Sequence, residues 1–274
     1  MFENPIVQDN LNILKKYDME VVEPAVGYLA CGDTGAGKMP DPEVLYEYII
    51  KEIACEKDLK GKKIMVTAGP TQEAIDPVRY ITNHSTGKMG YAIAKRAMLR
   101  GADVTLVSGP VALDPVPFVK MVPVTTAQDM FEAVSGGFPE QDILIKAAAV
   151  ADYRPSNVSD EKVKKRDGDM AIALERTTDI LGYVGEHKKP EQIICGFSME
   201  TENLIENSRK KLYKKGCDMI AANNLKIEGA GFGTDTNVLT LITKSFEEEL
   251  PIMTKEEAAD RILDEAVKKT GDNQ

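Results

Sequence analysis

The stretch from Lys62 to Pro110, KKIMVTAGPTQEAIDPVRYITNHSTGKMGYAIAKRAMLRGADVTLVSGP, constrains this chain most. Ile64–Ala68 is a short apolar, β-branched run with a lysine pair before it and Gly69-Pro70 after it. A buried parallel strand ending at a turn reads that way. Gly87–Arg100 carries Met89, Ile93 and Ala97 on one helical face and Lys95, Arg96 and Arg100 on another. Gly101 stops the helix, and Asp103–Ser108 supplies the next strand. The product is a βαβ unit, and such units bind ligands at the carboxyl ends of their strands.

The loop between Gly69 and Gly90 holds Thr71, Asp76, Arg79, Asn83, His84, Ser85, Thr86 and Lys88. It far exceeds the usual connection of about two to six residues, which marks a long loop as functional or disordered. Gly87 and Gly90, where the helix begins, let backbone N–H groups approach an anion at its positive end. The dinucleotide fingerprint G-x-G-x-x-G does not occur here. On these grounds a phosphate-bearing ligand and a purely structural loop both stay open.

The formal net charge of -10 argues against a general nucleic-acid binder, so an anionic ligand requires a local basic cluster. No apolar run approaches transmembrane length, and MFENPIVQDN lacks the regions of a signal peptide. Cys31, Cys55, Cys195 and Cys217 show no paired spacing and read as reduced thiols. A cytoplasmic protein that touches neither nucleic acid nor membrane is expected. His84 and His187 are the only histidines, which excludes a His-rich site, and no metal site within the protein is expected.

Along the chain, Asn4–Lys16 reads as a helix, Met19–Val22 as a strand, and GYLACGDTGAGKMPDPE as a loop. Gly32–Lys38 spells G-x-x-x-x-G-K, but Met39 replaces the magnesium-holding Ser/Thr and prolines follow where a helix should start. Asp41–Glu56 reads as a helix, and a boundary near Lys60 divides 1–60 from 61–274. Thr125-x-x-Gln128 signals a capped helix through Val134. Asp142–Val150 reads as a buried strand, 153–170 as a charged strap with Lys162, Lys164 and Lys165 at its tip, and Ala171–Glu175 as a strand. Gln192–Phe197, Asp218–Asn223 and Asn237–Thr243 are further strands. Glu202–Lys215 is a helix whose Lys211 and Lys215, one turn apart, can reach a single anion. Thr254-x-x-Glu257 caps a final helix to Lys268. Strands alternating with helices give an α/β fold: a mostly parallel sheet with helices on both faces, plus a small N-terminal extension.

GPTQEAIDPVRYITNHSTGKMGYAIA, followed by TLVSGP and by KAAAVADYRP at 146–155, closely resembles bacterial phosphopantothenoylcysteine synthetase. The resemblance spans about Lys60 to Lys268. It implies a Rossmann-like ligase that joins 4′-phosphopantothenate to L-cysteine in coenzyme A synthesis. It further implies CTP with Mg2+, an acyl-cytidylate intermediate, and a homodimer. Carried over by position, Lys146, Ala147 and Ala148 contact the nucleotide, Asp152 takes the ribose hydroxyls, and Phe197 packs on cytosine. Lys162, Lys211 and Lys215 meet phosphates, with Thr178 and Asp179 completing the nucleotide site, although Thr177-Thr178 stands where the family often has an asparagine-proline pair. Asn83 holds the acyl-cytidylate by its amide, with Gly69, Ser85 and Gly87 beside it. Asn83 and Lys162 are the implied catalytic residues.

Residues 1–60 resemble the final portion of a flavin-dependent phosphopantothenoylcysteine decarboxylase, whose ACGDxGxGxM loop supplies a proton from the cysteine at position 31. Cys31 is thus a remnant catalytic residue. The flavin-binding segments are missing, so no flavin and no decarboxylation are expected of this chain alone, and a separate decarboxylase chain is a candidate partner. A dinucleotide-dependent oxidoreductase competes on the βαβ unit, but G-x-G-x-x-G and a Tyr-x-x-x-Lys pair are both missing. A binding protein that has kept the fold and lost the reaction is the other alternative.

Overall fold

In the computed structural model, which describes residues 1–164, 170–200, 202–224, 231 and 233–272, the chain divides into two units, Met1–Glu56 and Lys57–Gln274. In the first, Asn4 accepts a hydrogen bond from Ile6 N at 2.9 Å and Pro5 opens helix α1 (Pro5–Lys16). Strands β1 (Ala25–Tyr28) and β2 (Thr34–Lys38) form an antiparallel hairpin, and α2 (Pro42–Ile53) follows Asp41. The strand expected at Met19–Val22 is not formed; the ladder starts after Pro24, and the glycine-rich run expected as a loop is its partner strand. A strand needs a partner for its backbone groups, and here Thr34–Lys38 offers one to Ala25–Tyr28. No residue of this unit is buried.

The second unit begins with β3 (Lys63–Ala68), the hairpin β4 (Gln72–Ala74) and β5 (Tyr80–Thr82), then α3 (Lys88–Leu99), β6 (Asp103–Ser108) and β7 (Lys120–Pro123). It continues through α4 (Ala127–Gly137), β8 (Ile143–Lys146), the pair β9 (Tyr153–Pro155) and β10 (Leu174–Arg176), α5 (Ile180–His187), β11 (Ile193–Glu200) and α6 (Leu204–Lys214). Then come β12 (Met219–Asn224), β13 (Thr236–Asn237), β14 (Leu239–Thr243), β15 (Glu247–Glu249), β16 (Met253–Thr254) and α7 (Lys255–Asp272). An eight-stranded sheet runs in the order β15-β14-β12-β11-β8-β3-β6-β7. The six strands from β12 to β7 are parallel, β14 runs antiparallel to β12, and β15 antiparallel to β14.

Alternation along the strands divides the core between two faces. Met65, Val107, Leu144, Ile194 and Ile220 pack with Met130 and Val134 of α4, Ile180 and Val184 of α5, and Leu212 of α6. Their neighbours Ile64, Val66, Ile143 and Ile145, all fully buried, serve the other face, where α3 and α7 pack on each other. Helices thus cover both faces of a mostly parallel, Rossmann-like sheet.

Some boundaries move. The capping box lies one residue beyond Thr125-x-x-Gln128: Thr126 Oγ1 accepts from Asp129 N at 3.1 Å while Asp129 Oδ2 accepts from Thr126 N at 2.8 Å. A carboxylate at a helix N-terminus outcompetes an amide, and Gln128 bonds Glu132 instead. The strand expected over Asp142–Val150 stops at Lys146, because 147–151 turn away to bond residues 67–71. The strand expected at Ala171–Glu175 is shifted to Leu174–Arg176, paired with β9. Lys165 of the strap lies outside the described residues.

The strand order fixes the place of the site. From β3 the chain crosses to β6 on one side, and from α4 it returns to β8 on the other. Loops leaving the carboxyl ends of β3 and β8 therefore diverge and leave a crevice, the usual binding position in open α/β sheets.

Candidate active site

The crevice is built on close backbone contacts. Gly69 leaves β3 with φ +74, and Gly87 caps α3 with φ +79. Both values lie in the left-handed region that glycine adopts without penalty. A Cβ at Gly90 would lie 2.6 Å from Ala68 Cβ and 2.9 Å from Thr67 O. The first turn of α3 thus sits on the end of β3 and lines the crevice, where its N–H groups have no partner within the helix.

The strap of alanines after β8 is fastened to this edge. Buried Thr67 accepts from Ala148 N at 3.1 Å through its hydroxyl, and buried Thr71 accepts from Ala151 N at 3.0 Å. Ala149 N donates to Gly69 O at 2.9 Å, and Asn83 Nδ2 donates to Ala149 O at 2.9 Å. On the far side, Thr177 Oγ1 donates to Ala151 O at 2.6 Å and Thr177 N to Asp152 O at 3.0 Å. The alanines carry no side chain beyond Cβ, so a flat ligand could lie close to this backbone.

Two cavities meet here. The first, about 260 Å³, runs from Ser85 and Gly87 past Ala147 and Ala148 to Phe197 and Lys211. The second, about 350 Å³, is bounded by Arg176, Thr178, Asp179 and Lys215. Lys146, Val150 and Asp152 line both. No hydrogen bond to Lys146 Nζ is found among the described residues, and burial, then the nearby charge of Lys211, pulls its ammonium down to about 8. Lys211 donates to Phe197 O at 2.7 Å. Lys215 is paired with Asp179, which also caps α5 by accepting from Gly182 N at 3.1 Å. Burial opposes the ionisation of Asp179, yet Lys215, the Gly182 N–H and Lys146 together hold its carboxyl below the ordinary range.

Of the residues singled out from sequence, Ser85, Gly87, Lys146, Ala147, Ala148, Asp152, Phe197 and Lys211 share the first cavity. Thr178, Asp179 and Lys215 face the second, so Lys211 and Lys215 line different cavities with Lys146 between them. Gly69 is buried beneath the crevice, Asn83 is exposed at its edge, and exposed Lys162 lines neither cavity. Cys31 is in the first unit, exposed, with its Sγ 4.0 Å from Asp33 Oδ2.

Two more cations line the first cavity, Lys88 of the long loop and Lys255, which no sequence signal marked. Lys88 donates to Asp235 Oδ1 at 2.6 Å and to Gly233 O at 3.1 Å. Lys255, buried at the start of α7, is held by the carbonyls of Thr234, Thr236 and Gly231. Burial first, and Lys88 second, lower its affinity for a proton. The signal for Lys88 was its place in the STGKMG run; nothing local marks Lys255, which the fold alone brings in. Among the described residues no group of three His, Cys, Asp or Glu side chains is gathered for a metal ion, and no helix is long and apolar enough to cross a membrane.

Comparison with known proteins fits this geometry. The model of the DNA/pantothenate metabolism flavoprotein C-terminal domain matches residues 59–270, and that of the Flavoprotein family matches residues 1–54. The chain is 48% identical to the coenzyme A biosynthesis bifunctional protein CoaBC of Bacillus subtilis (strain 168), over 99% of this chain and 68% of that protein. It is 43% identical to the protein of the same name from Escherichia coli (strain K12), over 97% of this chain and 66% of that one. The chain therefore spans about two thirds of the length of these relatives. The crystal structure of the C-terminal domain of a CoaBC protein superposes with a TM-score of 0.68 at 45% identity, covering 79% of this chain and all of that one.

Proposed function

The chain belongs to the family of the DNA/pantothenate metabolism flavoprotein C-terminal domain, and from that membership we propose that it is the coenzyme A biosynthesis ligase that joins (R)-4′-phosphopantothenate to L-cysteine. CTP is the activating nucleotide. A carboxylate is a poor electrophile, so one of its oxygens first attacks the α-phosphorus of CTP. The bond to the β-phosphate breaks, pyrophosphate leaves, and an acyl-cytidylate remains. The cysteine amine then attacks the acyl carbonyl, loses a proton, and expels CMP as the amide forms.

The observation that carries this reading is the meeting of two cavities at Lys146 and Asp152, one opening on a helix N-terminus and the other on a lysine–aspartate pair. The cytidine lies along Ala147 and Ala148 with its base near Phe197, and Asp152 accepts from the ribose hydroxyls, as a carboxylate does strongly. Lys146, Lys211 and Lys215 offset the triphosphate charge as it shifts to the leaving group, with Thr178 and Asp179 at that end. Lys162, exposed on the strap and outside both cavities in the nucleotide-free protein, is the further phosphate contact. Phosphopantothenate takes the α3 side, at Ser85 and Gly87 above the Gly69 turn, and Asn83 holds the acyl-cytidylate by its amide. With most titratable neighbours already engaged, positioning supplies most of the rate.

Mg2+ is read as arriving on the nucleotide, since it keeps its waters and favours substrate phosphates over protein cages. The enzyme acts in the cytoplasm as a homodimer. Exposed Val78, Tyr80, Tyr153 and Leu174, on or beside the β4–β5 and β9–β10 hairpins, support a second copy packing there. We read residues 1–60 as the end of a decarboxylase domain and 61–274 as the synthetase. Cys31 decarboxylates nothing without a flavin-bearing portion, supplied by further sequence or by a separate decarboxylase chain.

Pyrophosphate release tests the reading. With MgCTP and phosphopantothenate it should proceed, fall sharply when ATP replaces CTP, and accelerate when cysteine is added. No release with either nucleotide would reject the ligase assignment.

A further inference from the structure

Asp76 is a carboxylate with no exposed side-chain surface, and the proposed chemistry makes no use of it. It lies in the loop between β4 and β5. One oxygen accepts from Val78 N and Arg79 N, both at 2.9 Å, closing the turn on which it sits. The other accepts from Arg79 Nε at 3.0 Å and again from the far end of that guanidinium. Arg79 first, with the backbone donors, holds the carboxyl well below the usual carboxylate range against the cost of burial. A closed turn with an internal ion pair would be complete at this point.

The same two groups also reach across 87 and 84 residues of chain to one strap residue. Asp76 Oδ2 accepts from Val163 N at 3.1 Å, and the Arg79 guanidinium donates to Val163 O at 2.8 Å. Both polar groups of one strap residue are thus engaged by one ion pair. A third bond runs alongside, from Ser159 N to Ile75 O at 3.1 Å. A charged surface segment ordinarily leaves its backbone to water. Here the peptide is tied at 159 and at 163, and the residue immediately before the second tie is Lys162.

We propose that Asp76, acting through Val163, is a positioning residue that sets the strap and so fixes the backbone from which Lys162, outside both cavities in the nucleotide-free protein, reaches the nucleotide. The inference rests on the reading above only for the role of Lys162. The tie of 159–163 to 75–79 is independent of any substrate. A hydrogen bond to a buried charge is stronger than one between neutral groups, so the ion pair grips Val163 where an uncharged pair would hold it loosely. Lys162 carries no such bond of its own among the described residues, and its reach is set by where its backbone is held.

The test uses the full chain and two readouts. In Asp76→Asn the acceptor facing Arg79 and Val163 loses its charge, and amide hydrogen exchange at 159–164 should speed up about tenfold or more in the substrate-free protein. In the same variant the KM for CTP should rise by about tenfold, with a smaller change in the KM for cysteine. Arg79→Met, which removes the bond to Val163 O and leaves the carboxylate, should loosen the same residues. It also keeps the test sound if Asp76→Asn fails to fold. Unchanged exchange at 159–164 in a folded variant would overturn the latch. Faster exchange with an unchanged KM for CTP would overturn the delivery of Lys162. If the unaltered protein releases no pyrophosphate, the ligase reading fails and the exchange measurement still decides the latch.

Discussion

Lys146 is the residue whose chemistry is most exposed to experiment. It lies between the two cavities, and burial, with Lys211 second, places its titration at about 8 rather than at the usual 10.5. Below that pH the ammonium is charged and available to an anion; above it, the charge is gone. CTP should therefore bind progressively more weakly as pH rises from 7 to 9, by about tenfold per lost contact of 1.4 kcal/mol. Lys146→Met should bind CTP weakly throughout and flatten that profile, which isothermal titration across the pH range would read. A profile unchanged by the substitution would assign the titration elsewhere. In the unliganded protein the sign is opposite: between about 8 and 10.5 the unfolded chain binds the extra proton, so folded stability gains as pH rises there. Lys146 became a candidate through the resemblance carried by KAAAVADYRP, which implies a nucleotide contact there. Sequence could not show that Lys255, 109 positions further on, faces the same cavity, since nothing near Thr254 distinguishes that lysine from an ordinary first-turn residue.

Among the elements, α3 does two jobs. Its first turn lies on the end of β3 and faces the crevice. Its last turn is tied to α7 and the linker by Arg96–Asp260 at 2.7 Å and by Arg100, which meets Asp58 at 2.5 Å and Asp264 at 2.8 Å. The Arg100 side chain is only 9% exposed, so truncating it leaves carboxylates facing a lost partner. Arg100→Met should cost about 1–3 kcal/mol in urea unfolding. Arg100 is also the main reason the Asp58 carboxyl is held below 3.8. A lowered carboxyl lends stability that is complete above its unfolded value and lost as pH falls through its folded one. The loss of stability as pH falls below about 4 should therefore be less steep in Arg100→Met than in the unaltered chain. The strand–helix alternation and α3 itself were legible because apolar periodicity and flanking glycines mark them. The early end of β8 was not, because Lys-Ala-Ala-Ala-Val continues the apolar run; the hydroxyls of Thr67 and Thr71, with the backbone bonds of Ala149, hold it aside. The asparagine edge was similarly half-legible: Asn83 is present where the resemblance puts it, but its bond to Ala149 O belongs to the fold.

Over the whole molecule, the two units differ in kind. Residues 57–272 hold a layered core; residues 1–56 hold two 12-residue helices and a hairpin with no buried residue. Isolated helices of about that length are marginal in water. Amides of α1 and α2 should therefore exchange by roughly two orders of magnitude faster than those of β3, β8 and β11 under native conditions. Equal protection would mean that the first unit has burial which none of its residues displays. The acidic total conceals a different local balance. The joined cavities carry Lys88, Lys146, Lys211, Lys215 and Lys255 on a chain of net charge -10; Asp235, Asp179 and Asp152 offset part of that charge, and the cationic excess that remains favours an anion. Melting temperature is then a biased judge of ligands here: pyrophosphate or any small polyphosphate should raise it nearly as well as CTP, so a thermal screen would rank candidates by charge, and only turnover would tell one base from another.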